Sequence, residues 1–148
     1  ASCVNCPAGH ETLKEIFDAN PDRVVAVGLH FGNLAIPVLP TDPDLRTDGA
    51  KLIAEKFGVT AMPLALIDRT KKSNNSPIYG RGEWITAVAS RLNQPSGANL
   101  SSKFQYDNTL QKYVYDLEIE LLNEYTEDLF YTIVILEDSI LVTRWNCC

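Results

Sequence analysis

Residues 3–10 read CVNCPAGH, and the rest of the chain takes its meaning from that stretch. Cys3 and Cys6 enclose Val4 and Asn5, and Pro7 follows at once. Proline suits the first turn of a helix, where its missing N–H costs nothing. Cys6 therefore stands at an expected helix N-terminus, where the dipole and the N–H groups favour thiolate. Thiolate is the species that attacks disulfides. A disulfide across two residues closes a very small loop, so its oxidised and reduced states can lie close in energy. Three readings of the pair stand side by side: a redox-active couple, a static structural disulfide and a metal ligand pair. Cys147 and Cys148 are adjacent, and adjacent thiols chelate one tetrahedral ion poorly, so a four-cysteine zinc site is disfavoured and no metal or other cofactor is expected. Proline rather than histidine after the motif excludes the usual c-type haem attachment.

Outward from the motif, Pro7–Ala19 reads as a helix, with Leu13, Ile16 and Phe17 at helical spacing and Asn20-Pro21-Asp22 to end it. Arg23–Phe31 (RVVAVGLHF) is apolar with little alternation, the pattern of a strand buried on both faces. A proline-bearing loop over 32–43 follows. Asp44–Phe57 is a second expected helix, closed by Gly58. Met62-Pro63 then precedes an apolar strand, Leu64–Ile67, which a short strand at Ile78–Gly80 can join as a hairpin. Trp84–Leu92 is a third helix, with Trp84, Ile85, Val88 and Leu92 on one side.

After Leu92 the composition shifts. Gln94-Pro95-Ser96-Gly97 has linker chemistry. Beyond it Tyr113, Tyr115, Leu117, Ile119 and Leu121 alternate with Val114, Asp116, Glu118 and Glu120, a strand with one apolar and one acidic face. Leu129–Leu136 and Ile140–Trp145 read as further strands about a tight turn at 137–139, which makes an antiparallel meander.

The chain has 148 residues with a formal net charge of −6, enough for one ordinary core or for a small domain and part of another. An acidic surface argues against nucleic acid, whose affinity comes largely from Lys and Arg on phosphates. No apolar run approaches the roughly 20 residues that span a bilayer. His10 lies one turn past Cys6, where it could raise that cysteine's thiolate content when protonated, or simply be a surface residue. His30 sits in the buried-strand pattern and is expected to be a hydrogen-bonded core residue. Asp42, Asp44 and Asp48 lack EF-hand spacing and read as a solvated acidic face.

The order CxxC, helix, strand, helix, X-Pro, strand, strand, helix resembles the thioredoxin fold. More narrowly, CVNCPAGHE, the strand VVAVGLHFG and the late turn LEDSI resemble the twenty-eight-kilodalton outer-membrane protein family of Bacteroidetes, which joins a thioredoxin-like domain to a β-rich one. The resemblance implies an α/β thioredoxin-like domain over 1–94 and a small all-β domain, antiparallel and Ig-like or sandwich-like, over 95–148. In the thioredoxin fold a strand precedes the CxxC, and this sequence starts two residues before Cys3. Residues 1–94 are therefore expected to lack that strand, and 95–148 to be a partial domain, unless a late β segment or a second copy fills the gap. The resemblance also implies a cis Met62-Pro63 peptide beside the sulfurs that docks substrate backbone, with Cys3 as nucleophile and Cys6 as resolving thiol. It implies a periplasmic or outer-membrane location. Two functions follow: thiol–disulfide exchange with protein thiols or disulfides, or a non-enzymatic envelope module that binds a surface partner, or further copies of itself, and uses Cys3–Cys6 only as a staple.

Overall fold

A computed structural model describes residues 3–37, 39–137 and 140. They form a mixed α/β structure of three α-helices and two small antiparallel sheets. The chain divides into two compact units, one comprising Ala1–Asn93 together with Glu137–Cys148 and the other Gln94–Leu136.

In the first unit, helix α1 spans Cys6–Ala19 and carries proline in its first turn. Cys6, Gly9 and Ile16 are its buried residues, and Leu13 packs on the same cluster. The buried stripe thus follows a three- and four-residue rhythm, the signature of an amphipathic helix. Phe17, expected on that stripe, is 39 % exposed at its edge. The helix ends where the Asn20 amide donates to Phe17 O at 3.1 Å and its side chain to Ile16 O at 2.8 Å.

Helix α2 runs over Asp48–Phe57, four residues shorter at its start than the periodicity suggested. The reason is local chemistry. Thr47 is extended and its hydroxyl accepts the Ala50 amide at 3.1 Å, which satisfies a helix-terminal donor that would otherwise lack a partner. Just upstream, Asp44 is clamped by Arg46 through contacts of 2.6 to 3.1 Å and is not part of the helix. Gly58, at φ 68°, closes α2 in the left-handed region that glycine adopts most readily.

Strands β1 (Leu64–Leu66) and β2 (Ile78–Gly80) pair antiparallel, with Ala65 opposite Tyr79. A 3-10 turn at Arg81–Glu83 leads into α3, Trp84–Leu92. The core joins these pieces: Ile16, Tyr79 and Trp84, with Leu13, Val24, Ala65, Ile67, Ala87 and Val88 against them. The Trp84 indole N–H donates to Tyr79 O at 3.0 Å, so its polar atom is satisfied inside the core.

Arg23–Phe31 departs from expectation. It joins no ladder among the described residues, where β1 and β2 pair only with each other. Val24 reaches the core, but Val25 is 90 % exposed. An apolar run is buried on both faces only when strands flank it and layers cover it; here neither flank is paired. Arg23–Phe31 is therefore not the buried strand its composition suggests, and among the described residues it does not pair with β1.

In the second unit, β3 (Ala98–Asp107) and β4 (Lys112–Leu121) form a long hairpin in unbroken register. Asp107 Oδ1 accepts the amides of Thr109 and Leu110 at 2.8 and 2.9 Å, and Gln111 takes a left-handed φ of 52° to close the turn. The alternation read in residues 113–121 holds, while β3 was not anticipated. Leu129–Leu136, expected as a strand, joins no ladder among the described residues and is exposed throughout. The expected strand Ile140–Trp145, beyond its first residue, lies outside the described residues, as do Asp138, Ser139 and the Cys147-Cys148 pair.

Candidate functional site

Cys3 and Cys6 are joined by a disulfide with their Cα atoms 5.5 Å apart. The Cys6 amide donates to Cys3 O at 3.4 Å, and the Gly9 amide to Asn5 O at 3.4 Å. The loop of the motif is thus wound directly into the first turn of α1. Between the cysteines Val4 and Asn5 are exposed, but both cysteines are buried, Cys3 at 6 % and Cys6 at 3 % exposure. The nucleophile's role that the thioredoxin resemblance implies for Cys3 calls for a sulfur nearer solvent than this.

The Met62-Pro63 peptide is cis, and both residues are half-buried. Pro63 packs on α1 at Gly9, one turn past Cys6. A Cβ on Gly9 would stand 3.1 and 3.3 Å from Pro63 Cβ and Cγ and 3.3 Å from Trp84 Cη2. Those distances are tighter than ordinary carbon contacts, which are optimal at about 3.5–4.0 Å. Gly9 therefore lets three pieces meet: the helix that begins at the disulfide, the cis-proline loop and the indole at the start of α3. Sequence reasoning passed over Gly9. The available signal was a glycine inside a helical pattern, which carries a propensity cost and usually has a packing reason.

Two histidines belong to the same unit. His10 is exposed on α1. His30 is half-buried, and burial, followed by the positive charge of His10, holds its pKa below the ordinary 6.5. His30 was expected to be a hydrogen-bonded core residue; it is half-buried, in the run that joins no ladder among the described residues.

Of the acidic residues, Asp44 is held at a pKa of about 2 by hydrogen bonds from Arg46. Asp48 lies in the first turn of α2, where a negative charge suits the helix dipole. Asp42 is buried rather than solvated. No group of His, Cys, Asp and Glu suited to a metal ion occurs among the described residues. Among the same residues no helix is long and apolar enough to cross a membrane.

The arrangement offers one kind of chemistry. It has a disulfide-bonded pair of cysteines at a helix N-terminus, with a cis-proline loop packed one turn away. No family model, no curated protein and no solved structure matches the chain.

Proposed function

We propose that this chain is a thioredoxin-like envelope protein that exchanges thiols and disulfides through Cys3 and Cys6. The observation that carries the reading is the packing of cis Pro63 on Gly9 in the first turn of the helix that starts at Cys6. In the reducing direction the Cys3 thiolate attacks one sulfur of a partner disulfide. A mixed disulfide forms and the partner's other sulfur leaves as thiolate. Cys6, having lost its proton, then attacks the Cys3 sulfur and restores the Cys3–Cys6 bond. The partner leaves with two thiols, having gained two electrons and two protons. The oxidising direction runs the same steps backwards. Backbone groups at Met62-Pro63 hold the partner segment, and His10 modulates the thiolate from the exposed side of α1. A location outside the cytosol fits a disulfide that persists.

A second reading has its own support. Both cysteines are buried, and a shielded pair suits a staple in a binding module better than an exchanging couple.

One titration separates the two. An exchanging pair has a midpoint in the range of about −120 to −270 mV, whereas a structural disulfide falls below about −300 mV. With exchange, Cys6→Ser accumulates mixed disulfides through Cys3, and the wild type accelerates insulin reduction by dithiothreitol. A midpoint in the structural range with no trapped species assigns Cys3–Cys6 to the staple.

A further inference from the structure

The β3–β4 hairpin has two unlike faces. Its register places Leu100 opposite Ile119, Phe104 opposite Tyr115 and Tyr106 opposite Tyr113. With Ala98, Ser102, Leu117 and Leu121 these share one side of the pleat, because alternate residues point the same way. That side holds no charged residue. The other side carries Lys103 opposite Asp116, Asp107 opposite Lys112, and Glu118 and Glu120.

The uncharged side is open. Leu100 is 68 % exposed, Phe104 60 %, Tyr113 69 % and Leu121 50 %, with Tyr106, Tyr115 and Ile119 also exposed. Phe104 stacks on Tyr113 with centroids 5.0 Å apart, and Tyr106 meets Tyr113 edge-on at 5.1 Å. The rings are therefore already ordered against one another. With about 150–250 Å² for a whole aromatic side chain, the exposed part of this face comes to roughly 700–800 Å², close to the ~800 Å² per partner of a standard interface. Monomers rarely leave so large an apolar patch open.

We propose that this face is an interface with a second copy of the chain, the two hairpins packing face to face about a two-fold axis. Two features favour a second copy over a different partner. The face is uncharged along its length and apolar but for Ser102 and the tyrosine hydroxyls, so the same patch can meet itself across a two-fold axis without charge repulsion, as an isologous interface requires, and it offers a charged partner nothing to pair with. The acidic residues that give the chain its negative charge on this hairpin lie on the opposite side, so pairing brings no like charges together. The product is a four-stranded, two-layer arrangement with sheets about 10 Å apart. It gives the hairpin the covering layer that a two-stranded sheet lacks in water. This inference is independent of whether Cys3 and Cys6 exchange.

Sedimentation velocity on the full chain tests it, in a Cys147→Ser, Cys148→Ser background so that those thiols cannot link copies. A dilution-sensitive dimer is expected at micromolar concentration. Tyr113→Lys places a charge in the contact and raises the dissociation constant by roughly tenfold or more. Gln105→Lys, on the other side, leaves it within about twofold. A second pair of variants does not depend on weakening the contact. Ser102→Cys, central on the apolar face, cross-links two copies with a short bismaleimide, and Ser101→Cys does not. A chain that stays monomeric to about 100 µM overturns the proposal; if that monomer also floats with neutral phospholipid vesicles, the face belongs to a lipid surface. A dimer untouched by Tyr113→Lys, or equal cross-linking through Ser101→Cys, overturns it as well.

Discussion

The two units solve the same problem to different degrees. In the first, amphipathic elements meet: α1, α3 and the β1–β2 hairpin close on Ile16, Tyr79 and Trp84. In the second, an equally amphipathic hairpin of two ten-residue strands leaves its aromatic side in solvent. Patterning determines which side of an element is apolar; burial needs a second layer to cover it. Four measurements break or sharpen this contrast.

The largest effect is expected at Trp84, which is 4 % exposed. Trp84→Ala removes the indole from the core and leaves the Tyr79 carbonyl without its donor, and destabilises the first unit by about 3–5 kcal/mol. Urea unfolding should show this loss while the amide signals of β3 and β4 stay in place. Loss of the hairpin signals together with the core would end the two-unit description.

Next is Gly9. A leucine there has no room between Pro63 and Trp84, and overpacking of that kind costs about 1–3 kcal/mol. Gly9→Leu should also speed alkylation of Cys3 and Cys6 after reduction, since it pushes the proline loop off the helix start. Unchanged stability would show that the three pieces do not bear on one another.

In the hairpin the same kind of truncation should cost less. Phe104→Ala loses the stack on Tyr113 and about 0.5–1.5 kcal/mol, measured by denaturation below the concentration at which copies associate. A loss as large as that of Trp84→Ala in dilute solution would mean the hairpin already has a covering layer of its own.

The smallest effect concerns pH. The folded state holds the His30 pKa below its ordinary 6.5, chiefly through burial. The unfolded chain therefore binds the proton more readily, and stability must rise with pH where the two states differ in protonation. Stability is fully present above 6.5 and falls as pH drops below that value. His30→Gln should flatten this slope, and because the ring is half-exposed the change should be modest. A slope unaffected by the substitution would assign the pH response elsewhere.

These contrasts also show what the sequence could and could not reveal. Helices α1 and α3 were legible because their apolar spacing and end signals agree. Helix α2 was placed too early because Asp44–Arg46 looks helical in composition, and only the Thr47 cap marks the true start. The β1–β2 hairpin followed from two short apolar runs about a polar turn, and the cis Met62-Pro63 peptide is what the thioredoxin resemblance implied. Arg23–Phe31 and Leu129–Leu136 were overread, since β-branched density says that a segment can pair and not that a partner is present. Strand β3 was missed for the opposite reason. ANLSSKFQYD is largely polar, and its apolar side is evident only once Leu100, Phe104 and Tyr106 are set against Ile119, Tyr115 and Tyr113. At the candidate site the cysteines and the proline were visible by type, whereas Gly9 was not, because its neighbours are Pro63 and Trp84, far away in sequence.

The unbroken ladder from Ala98–Leu121 to Asp107–Lys112 has a consequence for inheritance. A missense change in the hairpin alters one side chain. An in-frame loss of a single codon in the middle of β3 shifts everything beyond it by one residue, and a shift of one exchanges the two faces. Lys103 and Gln105 would then stand among the tyrosines of β4. Loss of two adjacent codons restores the alternation and shortens the ribbon only. For this segment the smaller deletion is the graver lesion, and natural length variation should occur there in steps of two.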